Sequence, residues 1–114
     1  MAVYILDKKI NREELTKIAK ETFDSLVKGA VDVEKEKIAI GGEWHSECQE
    51  MLVEQGSDGR KVWGFNARLD QPKEDRLEFF SLINIKPSLG VKDMEIQDET
   101  VKRAIKAVVD KFIE

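Results

Sequence analysis

Apolar and polar residues change period several times along the chain, and each change marks an element. Val3 to Leu6 is a short β-branched and aromatic run closed by Asp7, Lys8 and Lys9, which predicts a first strand. Asn11 followed three positions later by Glu14 is a capping box, in which each side chain satisfies a backbone amide that the first helical turn leaves unpaired. Leu15, Ile18, Ala19, Thr22, Phe23, Leu26 and Val27 recur at helical spacing, so the pattern predicts a helix over residues 12 to 28, stopped at Gly29.

Period two takes over after Gly29. Val31 and Val33 alternate with Asp32 and Glu34, and Ile38 and Ile40 with Lys37 and Ala39, predicting a half-buried hairpin that turns at Lys35 and Glu36. Continued through Gly41 and Gly42, the alternation puts Trp44 on the apolar face and leaves Glu43, His45 and Asp32 together on the other. Ser46 with Gln49 offers a second capping box, opening a short helix with Cys48, Met51 and Leu52 on its apolar side and Gly56 at its end.

Trp63, Phe65, Ala67 and Leu69 then alternate with Val62, Gly64, Asn66 and Arg68 in a strand, and Leu77 to Ile85 reads as its return. Pairing Leu69 with Leu77 sets Arg68 opposite Glu78 and Trp63 opposite Ile83, and turns Phe80 and Leu82 to the face opposite Phe79 and Ile83. Residues 87 to 97 have no period and read as a loop. Asp98 caps a last helix with Val101, Ala104, Ile105, Val108 and Phe112 inward and Lys102, Arg103, Lys106 and Lys111 outward. Together these predict one α+β domain over residues 1 to 114, with about five strands in a mixed or antiparallel sheet, three helices and the order β-α-β-β-α-β-β-α.

Composition narrows the function classes. The chain carries 23 acidic and 19 basic side chains, a net charge of −4, which argues against DNA, RNA or an anionic membrane as the main partner. The apolar run from Phe79 to Ile85 falls far short of the roughly 20 residues a membrane-spanning helix needs. With no visible leader, a cytoplasmic location is the expectation. One Cys forbids an internal disulfide, and one His with one Cys excludes the paired zinc patterns; no cofactor is expected.

The charge is unevenly spread: residues 30 to 58 alone hold 2 basic and 8 acidic groups. That stretch reads either as a solvated face or as a surface for a cation or a basic partner. One form of the second reading sets it against the basic side of the last helix in another copy, giving a homodimer with Phe80 and Leu82 as interface candidates.

Chemistry centres on the run Gly41 to Ser46. Glu43 and His45, two apart on an extended segment, share a face, and an imidazole titrating near neutral pH beside a carboxylate is a candidate acid/base pair. Asp32, Glu43, His45 and Glu47 are the candidate metal ligands. Asn66 and Asn84, polar residues within strand patterns, are with Ser46 the candidates for small-ligand binding. Cys48, three residues after His45, reads as a small buried apolar group more readily than as a thiolate nucleophile.

The runs Val31-Asp32-Val33-Glu34-Lys35, Ala39 to His45, Gly56-Ser57, Trp63-Gly64-Phe65-Asn66 and Asn84-Ile85-Lys86-Pro87-Ser88 resemble a family of short conserved bacterial and archaeal proteins of unknown function. The family pattern has Leu where this chain has Trp44 and Pro where it has Glu99. The resemblance implies a single cytoplasmic domain and draws attention to Gly42, Glu43, His45, Trp63 and Asn66, but it transfers no role to them. The leading expectation is a non-enzymatic, self-associating interaction or small-ligand-binding module with an acidic central surface. The alternative is a small hydrolase or metal-assisted enzyme using Glu43 and His45.

Overall fold

The computed structural model describes residues 2–114. Strands β1 (Val3–Ile5), β2 (Leu26–Asp32), β3 (Lys37–Gly41), β4 (Val62–Arg68) and β5 (Leu77–Glu78) pair antiparallel in the order β1-β3-β2-β4-β5. Helix α1 (Arg12–Lys20) joins β1 to β2, α2 (His45–Glu54) joins β3 to β4, and α3 (Glu99–Phe112) follows the long loop after β5. The element order is the one predicted. Among the described residues no helix is long and apolar enough to cross a membrane.

The period-two pattern assigns the two faces of the sheet to different helices. Val27, Val31, Ile38, Ile40, Trp63, Phe65 and Ala67 point one way and pack with Leu15 and Ala19 of α1 and Ile105, Val108 and Val109 of α3. Ala30, Ala39 and Val62 point the other way and meet Cys48 and Leu52 of α2. Small residues on this second face let α2 lie close over β1, β3, β2 and the start of β4. The β4–β5 end of that face is left open beside the start of α2.

Three expectations are corrected. First, α1 ends at Lys20: the chain reverses through Asp24, which has a left-handed φ of 65° and donates its amide to the Ala19 carbonyl. Leu26 and Val27 satisfy a helical stripe and a strand alternation equally, and seven residue pairs between β2 and β4 decide for the strand. Gly29 is therefore a strand residue, under the Phe65 ring.

Second, β3 stops at Gly41. Gly41 and Gly42 both hold positive φ, 104° and 74°, which ends the alternation and turns the chain into α2. Trp44, expected inside with Ile38 and Ile40, is the N-cap residue of α2 and is 63% exposed. The Glu47 carboxylate, not Ser46, serves the helix start, accepting the amides of Glu43 and Trp44 at 3.0 Å each.

Third, the return strand is only two residues long and its register is shifted by two, with Ala67 opposite Leu77 and Asn66 opposite Glu78. A two-residue slip preserves faces, so Arg68 still reaches Glu78 diagonally, at 2.8 Å. Beyond Glu78 the chain makes one bridge at Phe80 and then a turn of 3-10 helix over Leu82–Asn84. The Asn84 side chain takes over the pairing that β5 abandons, accepting the Gly64 amide at 2.7 Å and donating to the Gly64 carbonyl at 3.1 Å.

Candidate functional site

The uncovered end of the α2 face holds a cleft of about 260 Å³. Its floor is Lys28 of β2 and Asn66 of β4, directly paired across the two strands. Trp44, His45 and Ser46 at the start of α2 form one wall, and Phe80 to Ile83 form the other. The Gly41-Gly42 turn is what swings the first wall over the sheet, because an unbroken strand would carry these three residues past its end. Loss of strand pairing after Glu78 frees the second.

His45 is held by its neighbours. Its Nε2 lies 2.8 Å from Asn66 Oδ1 and 3.0 Å from the Phe65 carbonyl oxygen. Asn66 in turn donates through Nδ2 to Glu78 Oε1 at 3.3 Å, and Arg68 Nε donates to Glu78 Oε2 at 2.8 Å. The Glu78 contact fixes which end of the Asn66 amide is oxygen, so both neighbours of Nε2 are acceptors and Nε2 must carry the proton. Nδ1 is then the basic nitrogen of the neutral ring. Among the described residues it has no hydrogen-bond partner, and no buried side-chain nitrogen or oxygen lacks one, so Nδ1 reaches solvent.

Burial lowers the proton affinity of the imidazole below its ordinary value; the Asn66 bond opposes the shift, the nearby Lys28 ammonium adds to it and the Phe65 carbonyl opposes it. The ring is accordingly neutral near pH 7 and presents an acceptor. Lys28 Nζ sits 5.0 Å from the centroid of the Phe23 ring and 5.5 Å from that of Trp44. Around these polar groups the surface is apolar: Phe80 is 49% and Leu82 65% exposed.

Of the residues singled out from the sequence, the cleft brings together His45, Asn66, Ser46, Phe80 and Leu82. It does not bring in Glu43, which is exposed and outside the lining. Asp32 is fully buried and makes the hairpin turn, its Oδ1 accepting the amides of Glu34 and Lys35 at 2.9 Å and its Oδ2 the Ser57 hydroxyl at 2.6 Å. Glu47 is committed to the helix cap, and Asn84 to Gly64 and the Met94 carbonyl. Asp32, Glu43, His45 and Glu47 form no ligand cluster; among the described residues no three His, Cys, Asp or Glu side chains converge.

Cys48 is buried, with Sγ 3.3 Å from the Gly41 carbonyl, and burial followed by the Glu47 charge pushes its thiol up to about 12. It is inert as a nucleophile. Half of the eight acidic side chains of the central stretch are used within the chain: besides Asp32 and Glu47, Glu36 accepts Lys111 Nζ at 2.8 Å, and Asp58 pairs with Arg60 at 2.9 Å. Lys28 and the exposed position of Trp44 went unread in the sequence. The signal for Trp44 was the glycine pair itself, two adjacent residues suited to left-handed backbone where a strand was being extended.

A larger hollow of about 390 Å³ lies between the loop after β5 and α3. Its polar lining is Lys92, Asp93, Glu95, Gln97 and Asp98, all exposed, with the Asp98 carboxylate committed to the start of α3. A family model described as "Protein of unknown function (DUF5674)" matches residues 4–112. No curated protein and no solved structure matches the chain.

Proposed function

Since the chain belongs to this family of unknown function, whose description assigns no activity, its role has to be argued from the cleft, and we propose that it is a non-enzymatic small-ligand-binding module. The observation that carries this reading is a cleft in which an imidazole held in one tautomer and a half-buried ammonium stand among exposed aromatic and aliphatic side chains. Apolar walls with a few convergent polar groups are the general form of a small-molecule site. The walls supply affinity by removing apolar surface from water, and the few polar groups among them, Lys28, His45, Ser46 and Asn66, fix the orientation of the ligand. A homodimer formed over Phe80 and Leu82 would cover the same wall, so self-association and ligand binding would compete for it.

Proton-transfer catalysis at His45 is the second reading, favoured by a neutral, oriented imidazole with an accessible nitrogen. It has less support, because the cleft lining holds no carboxylate and no cysteine to act with the ring.

Amide shifts in the labelled protein, titrated with indole, phenol and phenylacetamide at several protein concentrations, test the binding reading. The expected result is perturbation confined to Trp44–Ser46, Asn66 and residues 80 to 83, weakened by Phe80→Ala. Shifts centred instead on Val91 and Val101, or none in the cleft, would reject it.

A further inference from the structure

In a chain with 23 acidic side chains, the cleft lining includes one cation, Lys28, and no Asp or Glu. Some lysines of the fold have acceptors, Lys35 and Lys86 donating to backbone carbonyls and Lys102, Lys106 and Lys111 to carboxylates, and others, such as Lys8, Lys20 and Lys73, are exposed to water. Lys28 differs. It is half-buried, and among the described residues its ammonium makes no hydrogen bond and no ion pair. The faces of Phe23 and Trp44 hold it in position. Ring faces attract a cation but satisfy none of its three N–H donors. Its stem rises from the middle of β2, paired with Asn66, so the charge is carried by the sheet and not by a mobile loop.

Resting on the binding reading above, we propose that the cleft takes an amphipathic monocarboxylate, its carboxylate against the Lys28 ammonium and its apolar body between Trp44, Phe80 and Leu82. One cation matches one negative charge. No arginine lines the cleft, so the planar fork that favours a phosphate dianion is missing. The volume sets the size: a void of about 150 Å³ holds benzene, so about 260 Å³ admits a single ring or short aliphatic chain with its acid group.

The test uses phenylacetate, phenylacetamide and phenethylamine, three probes alike in shape and different in charge, with tryptophan fluorescence as the readout. Trp44 is exposed while Trp63 is only 6% exposed, and Trp44→Phe assigns the signal. Phenylacetate is expected to bind about ten-fold more tightly than phenylacetamide at low salt, with phenethylamine the weakest. The preference should shrink as salt is added, persist in Lys28→Arg and vanish in Lys28→Met, while Phe80→Ala weakens the acid and the amide alike. Equal binding of acid and amide, or a preference that survives Lys28→Met, overturns the assignment of the anion and leaves the cleft reading standing. Silence of Trp44 toward all three probes, with cleft amides unmoved, overturns both.

Discussion

At His45 the position of one proton follows from three side chains on two strands. Asn66 is oriented by Glu78, Glu78 by Arg68, and the imidazole must then donate from Nε2. Because the chain has a single histidine, its ring nitrogens can be read without ambiguity. At pH about 7.5 they should report a protonated Nε2 and a bare Nδ1, and Asn66→Leu should lose that tautomer bias. Stability carries the same information. The native ring holds its proton less tightly than the unfolded chain, whose value is near the ordinary 6.5, so it contributes stability above that range and loses it as pH falls through the lowered native value. Urea midpoints should therefore fall more steeply below pH about 6.5 in the wild type than in His45→Gln; equal slopes would contradict the lowered proton affinity. His45 and Asn66 were both singled out by residue type and position. Their contact was not legible, since it joins a helix start to a strand residue 21 positions away in sequence.

Among the elements, β2 shows best where periodicity is ambiguous. Read as the stop of a long helix, Gly29 is instead the point at which the Phe65 ring lies across the strand: a Cβ there would come within 2.4 Å of Phe65 Cζ, and the Ala39 carbonyl is 3.1 Å away on another side. Since the ring is fully buried, it has nowhere to withdraw. Gly29→Ala should cost about 1–3 kcal/mol by overpacking, measured by denaturant unfolding, although alanine is the better residue in the helix that the local pattern suggested. A neutral or stabilising result would mean that the ring does not lie over the strand. The capping signals at Asn11 and Asp98 were legible because a cap is a contact within one turn: Asn11 Oδ1 accepts the Glu14 amide at 2.8 Å and Asp98 Oδ1 the Thr100 amide at 2.8 Å. The length of β5 was not, because Gly64 obtains its partner from the side chain of Asn84 and not from a backbone.

Across the whole molecule, the two ends of the chain close the larger core. Ile10 and Ile113 form a parallel bridge, with the Ile10 amide donating to the Phe112 carbonyl at 2.9 Å and the Glu114 amide to the Ile10 carbonyl at 2.9 Å. From the loop before β5, Arg76 donates to the carbonyls of Ile113 and Glu114 at 3.2 and 2.8 Å. Ile113 is fully buried, so Ile113→Ala should lower stability by about 2–4 kcal/mol in denaturant unfolding. The cleft lies on the other face of the sheet, lined by neither end. The same variant should therefore leave the amide shifts of Trp44, His45 and Asn66 in place under native conditions; loss of those shifts would show that the two faces are not independent.

The number and order of helices and strands, the hairpin and the caps at Asn11 and Asp98 were determined along the chain itself, because they depend on contacts between near neighbours that leave a period or a short motif behind. Tertiary structure alone decided the strand order, which face each helix covers, and the exposure of Trp44. It also decided the meeting of Lys28, His45 and Phe80, because residues brought together by sheet pairing and a glycine turn carry no common period that a one-dimensional pattern can record.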